Sequence, residues 1–222
     1  MNSISKADIL YEDPYLIAVN KPAGLMVEPD KFGNPSVVRQ TELLLEKKPK
    51  MKTGLGVVHR LDRPVSGVLV FAKTPMALKS LNEQIRNRSV QKEYMALVSG
   101  QLTGSGKWTQ SLRRSTDRKR AEICKDAGKD CQSAETRWKV SAHLSDQTLL
   151  TIQLKTGRFH QIRMHASANG HPIFGDEIYG GHSWKNTGIA LHSSRYSFEH
   201  PKTGSLISIE SPPPFLLSPA DL

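Results

Sequence analysis

The most informative absences in this chain of 222 residues concern cysteine and long apolar runs. Only two cysteines occur, Cys124 and Cys131, and both lie in a polar, charged segment. Two cysteines cannot form a disulfide framework, and their spacing matches no zinc site, so we expect two free thiols in a reducing cytoplasm. No run of about 18 apolar residues is present, which excludes a transmembrane helix. The first residues lack the basic and apolar regions of a secretory signal, in keeping with a cytoplasmic location.

Patterns for metal and nucleotide cofactors are also missing. The sequence contains no HExxH pattern and no glycine-rich nucleotide-binding pattern. His160 and His165 are five residues apart, so on a helix they would point roughly 140° apart rather than to one face. We therefore expect no metal and no cofactor.

What the sequence has in excess is positive charge, with a formal net charge of +10 and a pI of about 9.7. A polyanionic partner, most often a nucleic acid, is one explanation, while an anionic membrane and simple solubility are others. Part of the charge is concentrated in residues 113–120, RRSTDRKR, where five of the eight residues are basic. This run is either a solvated surface or a loop that grips phosphate groups.

The pattern of apolar residues predicts more strands than helices. A helix is expected to begin after Thr74, an N-cap residue followed by Pro75, with Leu78, Leu81 and Ile85 on one face. The other expected elements are a hairpin over 9–11 and 15–19, helices over 37–45 and about 159–168, and strands over 57–58, 68–71, 90–98, 138–140, 149–154, 189–191 and 206–209. Residues 113–132 are expected to form a long loop or hairpin tip. The prediction is an α+β fold, with a mixed, mainly antiparallel sheet and helices packed on it.

One polar turn stands out between two apolar runs, in the stretch VVHRLDRPVSGVLVFAKT. Asp62 lies there between Arg60 and Arg63, at the ends of two expected buried strands. A carboxylate beside guanidinium groups accepts their hydrogen bonds and stays ionised, which suits a nucleophile or a base. The same residues could equally form a structural salt bridge that orders the turn.

A second group of polar donors lies in LKTGRFHQIRMHASANGH. Arg158, His160, Gln161 and Arg163 crowd the start of an expected helix, where the helix dipole adds positive charge. This is either an anion site or a solvated amphipathic helix with Phe159, Ile162 and Ala166 facing the core. Tyr94, on an expected strand, is a packing residue unless it faces the same cleft as Asp62.

Taken together, these motifs resemble the RluA-type family of RNA pseudouridine synthases. The resemblance rests on the order and spacing of several segments across roughly residues 8–210: NKPAG at 20–24, HRLDR at 59–63 followed by Ser66 and Gly67, KEY at 92–94, TGRFHQIR at 156–163, and HP with GD at 171–176. Two departures from the family pattern occur, Pro64–Val65 in place of an acidic residue and threonine, and Glu28 in place of a histidine. Both bear on loop rigidity and substrate preference.

The resemblance implies that the chain isomerises uridine to pseudouridine in ribosomal or transfer RNA. Asp62 would start the break of the glycosidic bond, Arg158 would pair with it, and Tyr94 would stack on the base and help to remove the C5 proton. The implied fold places loops around a central catalytic cleft in a single domain over 1–222, without a separate S4-type RNA-binding domain. The expected partner is an RNA stem-loop, with no membrane and no protein partner, and a monomer is expected because nothing in the sequence demands a dimer.

The same resemblance, with the basic run, assigns a set of residues to RNA binding. Arg60 would fill the gap left by the extruded nucleotide or contact the neighbouring phosphate. The other expected RNA-binding residues are Lys21, His59, Arg63, Arg113, Arg118, Lys119, Arg120, His160, Gln161 and Arg163. Such contacts are needed because the target base must leave its stack.

Two other functions remain open on the residues. A non-catalytic RNA-binding protein would explain the charge, but not Asp62, because an acidic residue in a basic cleft weakens phosphate binding. A hydrolase of the N-glycosidic or phosphodiester bond would need a second carboxylate or a metal to activate water, and no acid pairs with Asp62 in the sequence.

Overall fold

The protein is described by a computed structural model over residues 3–45, 48–52, 54–117, 119–124, 128 and 130–216. Three α-helices occur in this part of the chain: α1 Val37–Leu44, α2 Pro75–Arg86 and α3 Gln161–Ala168. The strands are β1 Ile9–Glu12, β2 Leu16–Lys21, β3 Gly56–Val57, β4 Ser66–Ala72, β5 Gln91–Ser99, β6 Ser105–Arg114, β7 Ala121–Ile123, β8 Gln132–Leu144, β9 Gln147–Leu154, β10 Leu191–Glu199 and β11 Leu206–Glu210. Short 3-10 helices cover Lys6–Asp8, Glu177–Tyr179 and Pro214–Leu216.

The chain folds into two compact units. The first comprises the described residues of Met1–Lys92 and His192–Pro214, and the second those of Glu93–Leu191 and Phe215–Leu222. Pairing inside each unit is antiparallel, except that β4 and β10 are parallel. The expected mixed, mainly antiparallel sheet with helices is therefore confirmed. No helix in the described ranges is both long enough and apolar enough to cross a bilayer.

In the first unit the strand order is β1, β2, β4, β10, with β11 against β10 and β3 against β4. All seven residues of β4 are buried, as expected for an apolar strand with neighbours on both sides. Gly67 on β4 has a φ of 115°, and a Cβ there would lie 2.3 Å from the carbonyl oxygen of Ser193. Only glycine therefore permits the close approach of β10 to β4.

Local sequence explains the two helices of this unit. Thr74 caps α2, since its side chain accepts a hydrogen bond from the N–H of Ala77 at 3.2 Å, and Pro75 follows at the first position. Leu81 is buried, while Leu78 and Ile85 are partly buried against the same core, so the predicted apolar face is confirmed. Ser36 caps α1 in the same way.

The second unit has the strand order β5, β9, β8, β6, β7. Its buried side chains come from β5 and β9, such as Ala96, Val98 and Leu150, and from α3, which packs against β6, β7 and β8. α3 begins at Gln161, two residues later than predicted, because His160 takes a left-handed φ of 51° and becomes the N-cap. It ends at Ala168, where predicted.

Several strands differ from the prediction, and the strand expected at 138–140 extends over Gln132–Leu144 as β8. The strand expected at 189–191 in fact begins at Leu191 and runs to Glu199, through polar residues that a search for apolar runs passes over. β6 was not predicted at all, since only Trp108 and Leu112 are buried along its ten residues. The expected loop or hairpin tip over 113–132 contains the short strand β7.

The expectation of two free thiols is wrong. Cys124 and Cys131 form a disulfide, with their Cα atoms 6.1 Å apart. Cys124 follows β7 and Cys131 precedes β8, and both strands border β6, so the sheet brings together two residues that the sequence separates by a polar segment. A disulfide requires only this proximity and not a framework of many cysteines.

The disulfide can be tested by thiol titration. Protein unfolded without reductant should show no thiol reactive toward Ellman's reagent, and two after reduction. Replacing both Cys124 and Cys131 by Ser should lower the free energy of unfolding by roughly 2–3 kcal/mol, because the bridge closes a short loop. Wild type in excess reductant should lose the same amount. Two reactive thiols in the unreduced protein would contradict the pairing.

Candidate functional site

Asp62 lies in the loop between β3 and β4 of the first unit. The residue is half-buried, and its backbone carbonyl accepts a hydrogen bond from the N–H of Val65 at 3.0 Å. The loop leads into β4, which is wholly buried. Because the loop is fixed to a buried strand, the backbone of Asp62 has little freedom to move.

Lys21 fixes the loop that carries Asp62 from the interior of the first unit. Its side chain is fully buried, and its Nζ donates hydrogen bonds to the carbonyls of Pro22 at 3.0 Å, Arg63 at 3.1 Å and Val65 at 2.6 Å. Burial lowers the pKa of Lys21 to about 7, while the negative charge of Asp62 acts in the opposite direction. Three carbonyl acceptors require three N–H donors, so it is the protonated form of Lys21, favoured by the charge of Asp62, that fixes the backbone on the C-terminal side of Asp62.

The NKPAG loop forms a second brace on the same turn. The N–H of Gly24 donates to the carbonyl of Arg63 at 2.8 Å, and Nε of Arg63 donates back to the carbonyl of Gly24 at 2.9 Å. Further along this loop, Glu28 accepts a hydrogen bond from Arg60 at 3.1 Å on the exposed surface. Two motifs separated in the sequence thus form one surface in the first unit.

His59, expected to bind RNA, instead contacts residues inside the first unit. Its ring stacks on Tyr196 with the centroids 4.2 Å apart, and its Nε2 accepts a hydrogen bond from the N–H of Val70 at 3.1 Å. Burial, and then the charge of Lys92, lower the pKa of His59 well below its usual value. His59 therefore completes the hydrogen bonding of β4 as a neutral imidazole.

Among the expected RNA-binding residues of the first unit, Arg60 and Arg63 are exposed. Lys21 and His59 have the internal partners just described. Their assignment to RNA binding stays a prediction, and the contacts point to a positioning role.

Tyr94 and Arg158 belong to the second unit. Tyr94 is buried on β5, opposite Ile152 of β9. Arg158 is half-buried in the turn before α3, and its Nε donates to the carbonyl of Ser133 at 3.1 Å. Their joint action with Asp62 stays a prediction.

The side-chain amide of Gln161 fixes the turn that carries Arg158. Its Oε1 accepts from the hydroxyl of Thr156 at 2.8 Å and from the N–H of Arg158 at 3.0 Å. Its Nε2 donates to the carbonyl of Glu135 at 3.0 Å and to the hydroxyl of Thr136 at 2.9 Å. This buried amide, expected to bind RNA, thus ties the turn to β8.

His160 and Arg163 belong to a buried network. Arg163 forms a bidentate pair with Asp176, with both N–O distances 2.7 Å, and a third contact joins its Nη1 to Nε2 of His160 at 2.9 Å. Because Arg163 can only donate, Nε2 accepts, and Nδ1 of His160 donates to the hydroxyl of Tyr179 at 2.9 Å. The same hydroxyl accepts the N–H of Ala121 at 2.6 Å, which links the turn to β7.

A cavity of about 670 Å³ lies in the second unit beside this turn. Arg113, Arg114, Arg158 and Phe159 line it, together with Asp130. The guanidinium of Arg114 lies 3.9 Å from the ring centre of Phe159. The arginines of this cavity offer phosphate contacts, while the ring of Phe159 is already engaged by Arg114 and, in a stack, by His160.

The rest of the basic run forms the turn between β6 and β7. Lys119 and Arg120 are exposed, and the turn is closed by Ser115, whose Oγ donates to Asp117 and accepts the N–H of Arg120 at 3.2 Å. Arg118, also expected to bind RNA, lies outside the described residues.

The sequence does not predict that two residues line the cavity. Arg114 is a member of the basic run but was not singled out, and Phe159 was expected to face the core of a helix. The late start of α3 instead leaves Phe159 half-exposed on the cavity, stacked on His160 with the ring centres 3.8 Å apart. Asp176 was noted only in a motif, and its position 13 residues from Arg163 gave no signal of their pairing.

Comparison with known proteins places this geometry in a family. The profile described as RNA pseudouridylate synthase matches residues 15–168, a span that includes Asp62, Tyr94 and Arg158. The chain is 38% identical over 211 residues to the ribosomal large subunit pseudouridine synthase C of Yersinia pestis, covering 92% of this chain and 65% of that protein. The protein of the same name from Escherichia coli strain K12 is 37% identical over 213 residues, covering 92% and 66%.

Two solved structures share the fold of this chain. Human RNA pseudouridylate synthase domain containing 1 superposes with a TM-score of 0.77 at 25% identity, covering 94% of this chain and 84% of that one. Human RNA pseudouridylate synthase domain containing 4 has the same fold, with a TM-score of 0.74 at 22% identity, covering 94% and 89%. The chain belongs to the RNA pseudouridylate synthase family. It spans about two thirds of the length of the bacterial relatives, 65% and 66% of the two just named.

The buried ion pair gives a matched stability test. Asp176→Asn should lower the free energy of unfolding by about 3–5 kcal/mol, because it leaves the buried guanidinium of Arg163 without its counter-charge. The control is Glu210→Gln, since Glu210 pairs with Arg195 at the same 2.7 Å on the exposed surface and should contribute under about 1 kcal/mol. Urea denaturation measures both, and equal losses would contradict the role given to burial.

The buried histidines predict loss of stability in mild acid. Burial is the main cause that lowers the pKa of His160 to about 3, and of His165 and His192 to about 4. The unfolded chain takes up these protons near pH 6.5, so the stability is fully present above about pH 6.5 and is lost as the pH falls toward 4.

The pH effect is measured by urea denaturation at pH 7.5, 6.5, 5.5 and 5.0. Each histidine that stays neutral adds at most about 1.4 kcal/mol per pH unit to the slope. Carboxyl groups with lowered pKa, such as Asp13, act below this range. His165→Gln should flatten the slope even if it lowers the stability itself. A free energy of unfolding independent of pH between 6.5 and 5 would show that these imidazoles are not held neutral.

Proposed function

We propose that the chain is an RNA pseudouridine synthase that isomerises particular uridines. In this reaction the bond from N1 of uracil to C1′ of the ribose breaks, the base turns, and C5 bonds to C1′. The proton on C5 is lost and N1 gains one, so the product has the mass of the substrate. No oxidant or reductant takes part.

The observation that carries the proposal is the position of Asp62 on a braced loop, within the span that matches the family. An aspartate could start the reaction by attacking the base, by attacking the sugar, or by removing a sugar proton. All three routes need an ionised carboxylate held in a constant position. The buried ammonium of Lys21 and the brace between Gly24 and Arg63 supply that constraint.

Tyr94 and Arg158 are proposed to serve the same reaction from the second unit. Arg158 would supply the positive charge that keeps the carboxylate ionised, and Tyr94 would stack on the uracil. The support is their position in the matched motifs and the rigid setting of each, Tyr94 on a buried strand and Arg158 in a turn held by Gln161.

The proposed substrate is a stem-loop in ribosomal or transfer RNA, and the names of the bacterial relatives favour RNA of the large ribosomal subunit. The arginines of the cavity, with exposed Arg60 and Arg63, are proposed to bind its backbone. We propose a monomer that needs no protein partner.

A cytoplasmic location is kept as part of the proposal, supported by the ribosomal substrates that the relatives' names give. The cysteines do not support it, because Cys124 and Cys131 are paired.

The decisive variant is Asp62→Asn. It should reduce isomerisation by at least about a thousandfold while RNA affinity stays the same or rises, since only a negative charge is removed. Activity is followed by tritium release from RNA made with [5-³H]uridine, and affinity by filter binding. Asp146→Asn, an exposed aspartate outside both sites, is the matched control and should retain full activity.

Other outcomes would replace the proposal. If wild type binds RNA but releases no tritium, the protein is a non-catalytic RNA-binding protein. Free uracil or cleaved RNA would indicate a hydrolase, and an Asp62→Asn variant that still isomerises would remove Asp62 from the mechanism.

A further inference from the structure

The loop of residues 28–35, hereafter the Phe32 loop, exposes an aromatic ring. Phe32 is 77% exposed, and it is the one aromatic among the large hydrophobic side chains that are exposed in the described part of the chain. A single exposed apolar residue needs no explanation by itself. The surroundings of this ring are what indicate a ligand.

The backbone of the Phe32 loop is held in place. Oδ1 of Asp30 accepts the N–H of Phe32 at 3.0 Å and of Asn34 at 3.1 Å, and Oδ2 accepts the side-chain amide of Asn34 at 2.7 Å. Gly33 completes the turn with a φ of 76°, a conformation that favours glycine. The ring of Phe32 is thus presented to solvent by an ordered turn.

The charges around the ring are those that suit a phosphodiester chain. The ammonium of Lys31 lies 5.0 Å from the centre of the Phe32 ring. A guanidinium nitrogen of Arg39 lies 4.0 Å from the point that a Cβ on Gly33 would occupy. The two acids here are engaged with their neighbours, Asp30 with the turn and Glu28 with Arg60.

The Phe32 loop is also joined to the loop that carries Asp62. The pair between Glu28 and Arg60, 3.1 Å long, connects the start of one loop to the other, and both belong to the first unit. The Phe32 loop and the loop that carries Asp62 are thus tied into one surface of the first unit.

We propose that Phe32 is a stacking site for an unpaired base of the substrate RNA, with Lys31 and Arg39 contacting the adjoining phosphates. The inference rests on the proposed function and adds a contact that recognises a single-stranded flank. Stacking on an aromatic ring is available to every base, and duplex bases are already stacked on each other. The site should therefore discriminate between unpaired and paired RNA and contribute to binding rather than to the chemical step.

The test compares affinities for two probes, a fluorescein-labelled twelve-nucleotide oligouridylate and the same strand paired with oligoadenylate. Phe32→Ala should weaken binding of the single strand roughly tenfold or more, within the range measured for base stacking on aromatic residues, and change duplex binding less than about twofold. Phe32→Leu should weaken it similarly, because it keeps an apolar side chain but has no ring.

Phe32→Trp makes the contact visible. This variant should bind with the affinity of wild type. The oligouridylate should quench the fluorescence of the added tryptophan, measured as the difference between the variant and wild type. Leu206→Ala, another exposed hydrophobic residue in the first unit, is the matched control and should change neither affinity. Unchanged melting temperatures would show that the variants are folded.

The outcomes separate this inference from the proposed function. If wild type isomerises uridine but Phe32→Ala binds the single strand normally, the stacking site is refuted and the proposed function stands. If Phe32→Ala loses single-strand binding but wild type releases no tritium, the site stands and the proposed function fails. Wild type that does not bind the oligouridylate also overturns the inference, and a role of Phe32 in protein contact would then explain its exposure.

Discussion

A buried ammonium group is the constraint on which the first unit depends. Placing the charge of Lys21 in the interior costs free energy, and the cost is met only because three backbone carbonyls accept its hydrogen bonds. Those carbonyls belong to Pro22, Arg63 and Val65, so the lysine fixes two loops at once. Asp62 favours this ammonium electrostatically, and the ammonium in turn fixes the loop that carries Asp62. The charge at one position and the geometry at the other therefore depend on each other.

In the second unit, side-chain hydrogen bonds fix the turn that carries the proposed site residue. The turn that carries Arg158 and Phe159 is held by the amide of Gln161, whose oxygen accepts two hydrogen bonds from the turn and whose NH2 group donates two to β8. Arg163, paired with Asp176, also contacts the ring of His160, whose left-handed conformation costs of order 1–3 kcal/mol when nothing compensates. A site built on such a frame reaches its geometry before a ligand arrives, and this preorganisation is what makes charged groups effective.

The sequence was sufficient where local signals and burial agree. Thr74 and Pro75 start α2, and the apolar run that became β4 is a strand on composition alone.

The sequence was insufficient to predict elements whose structure is determined by tertiary contacts. β6 is polar along most of its length because one face is exposed, and Phe159 left the predicted helix because a single residue, His160, turned left-handed. The pairing of Cys124 with Cys131 depends on where β7 and β8 lie, which spacing does not encode. The motifs identified Lys21 and Arg163, but only the fold shows that they face inward.

That inward orientation changes how the net charge should be interpreted. Some of the basic residues counted in the sequence, among them Lys21 and Arg163, are buried with partners inside the protein and cannot contact a polyanion directly. The attraction must come from exposed groups, such as Arg60, Lys119 and Arg120. A protein that only bound RNA would gain by having no acid near such groups. Here the chain instead buries a lysine to fix the loop of an acidic residue, and that arrangement is understandable if the carboxylate acts on the bound RNA.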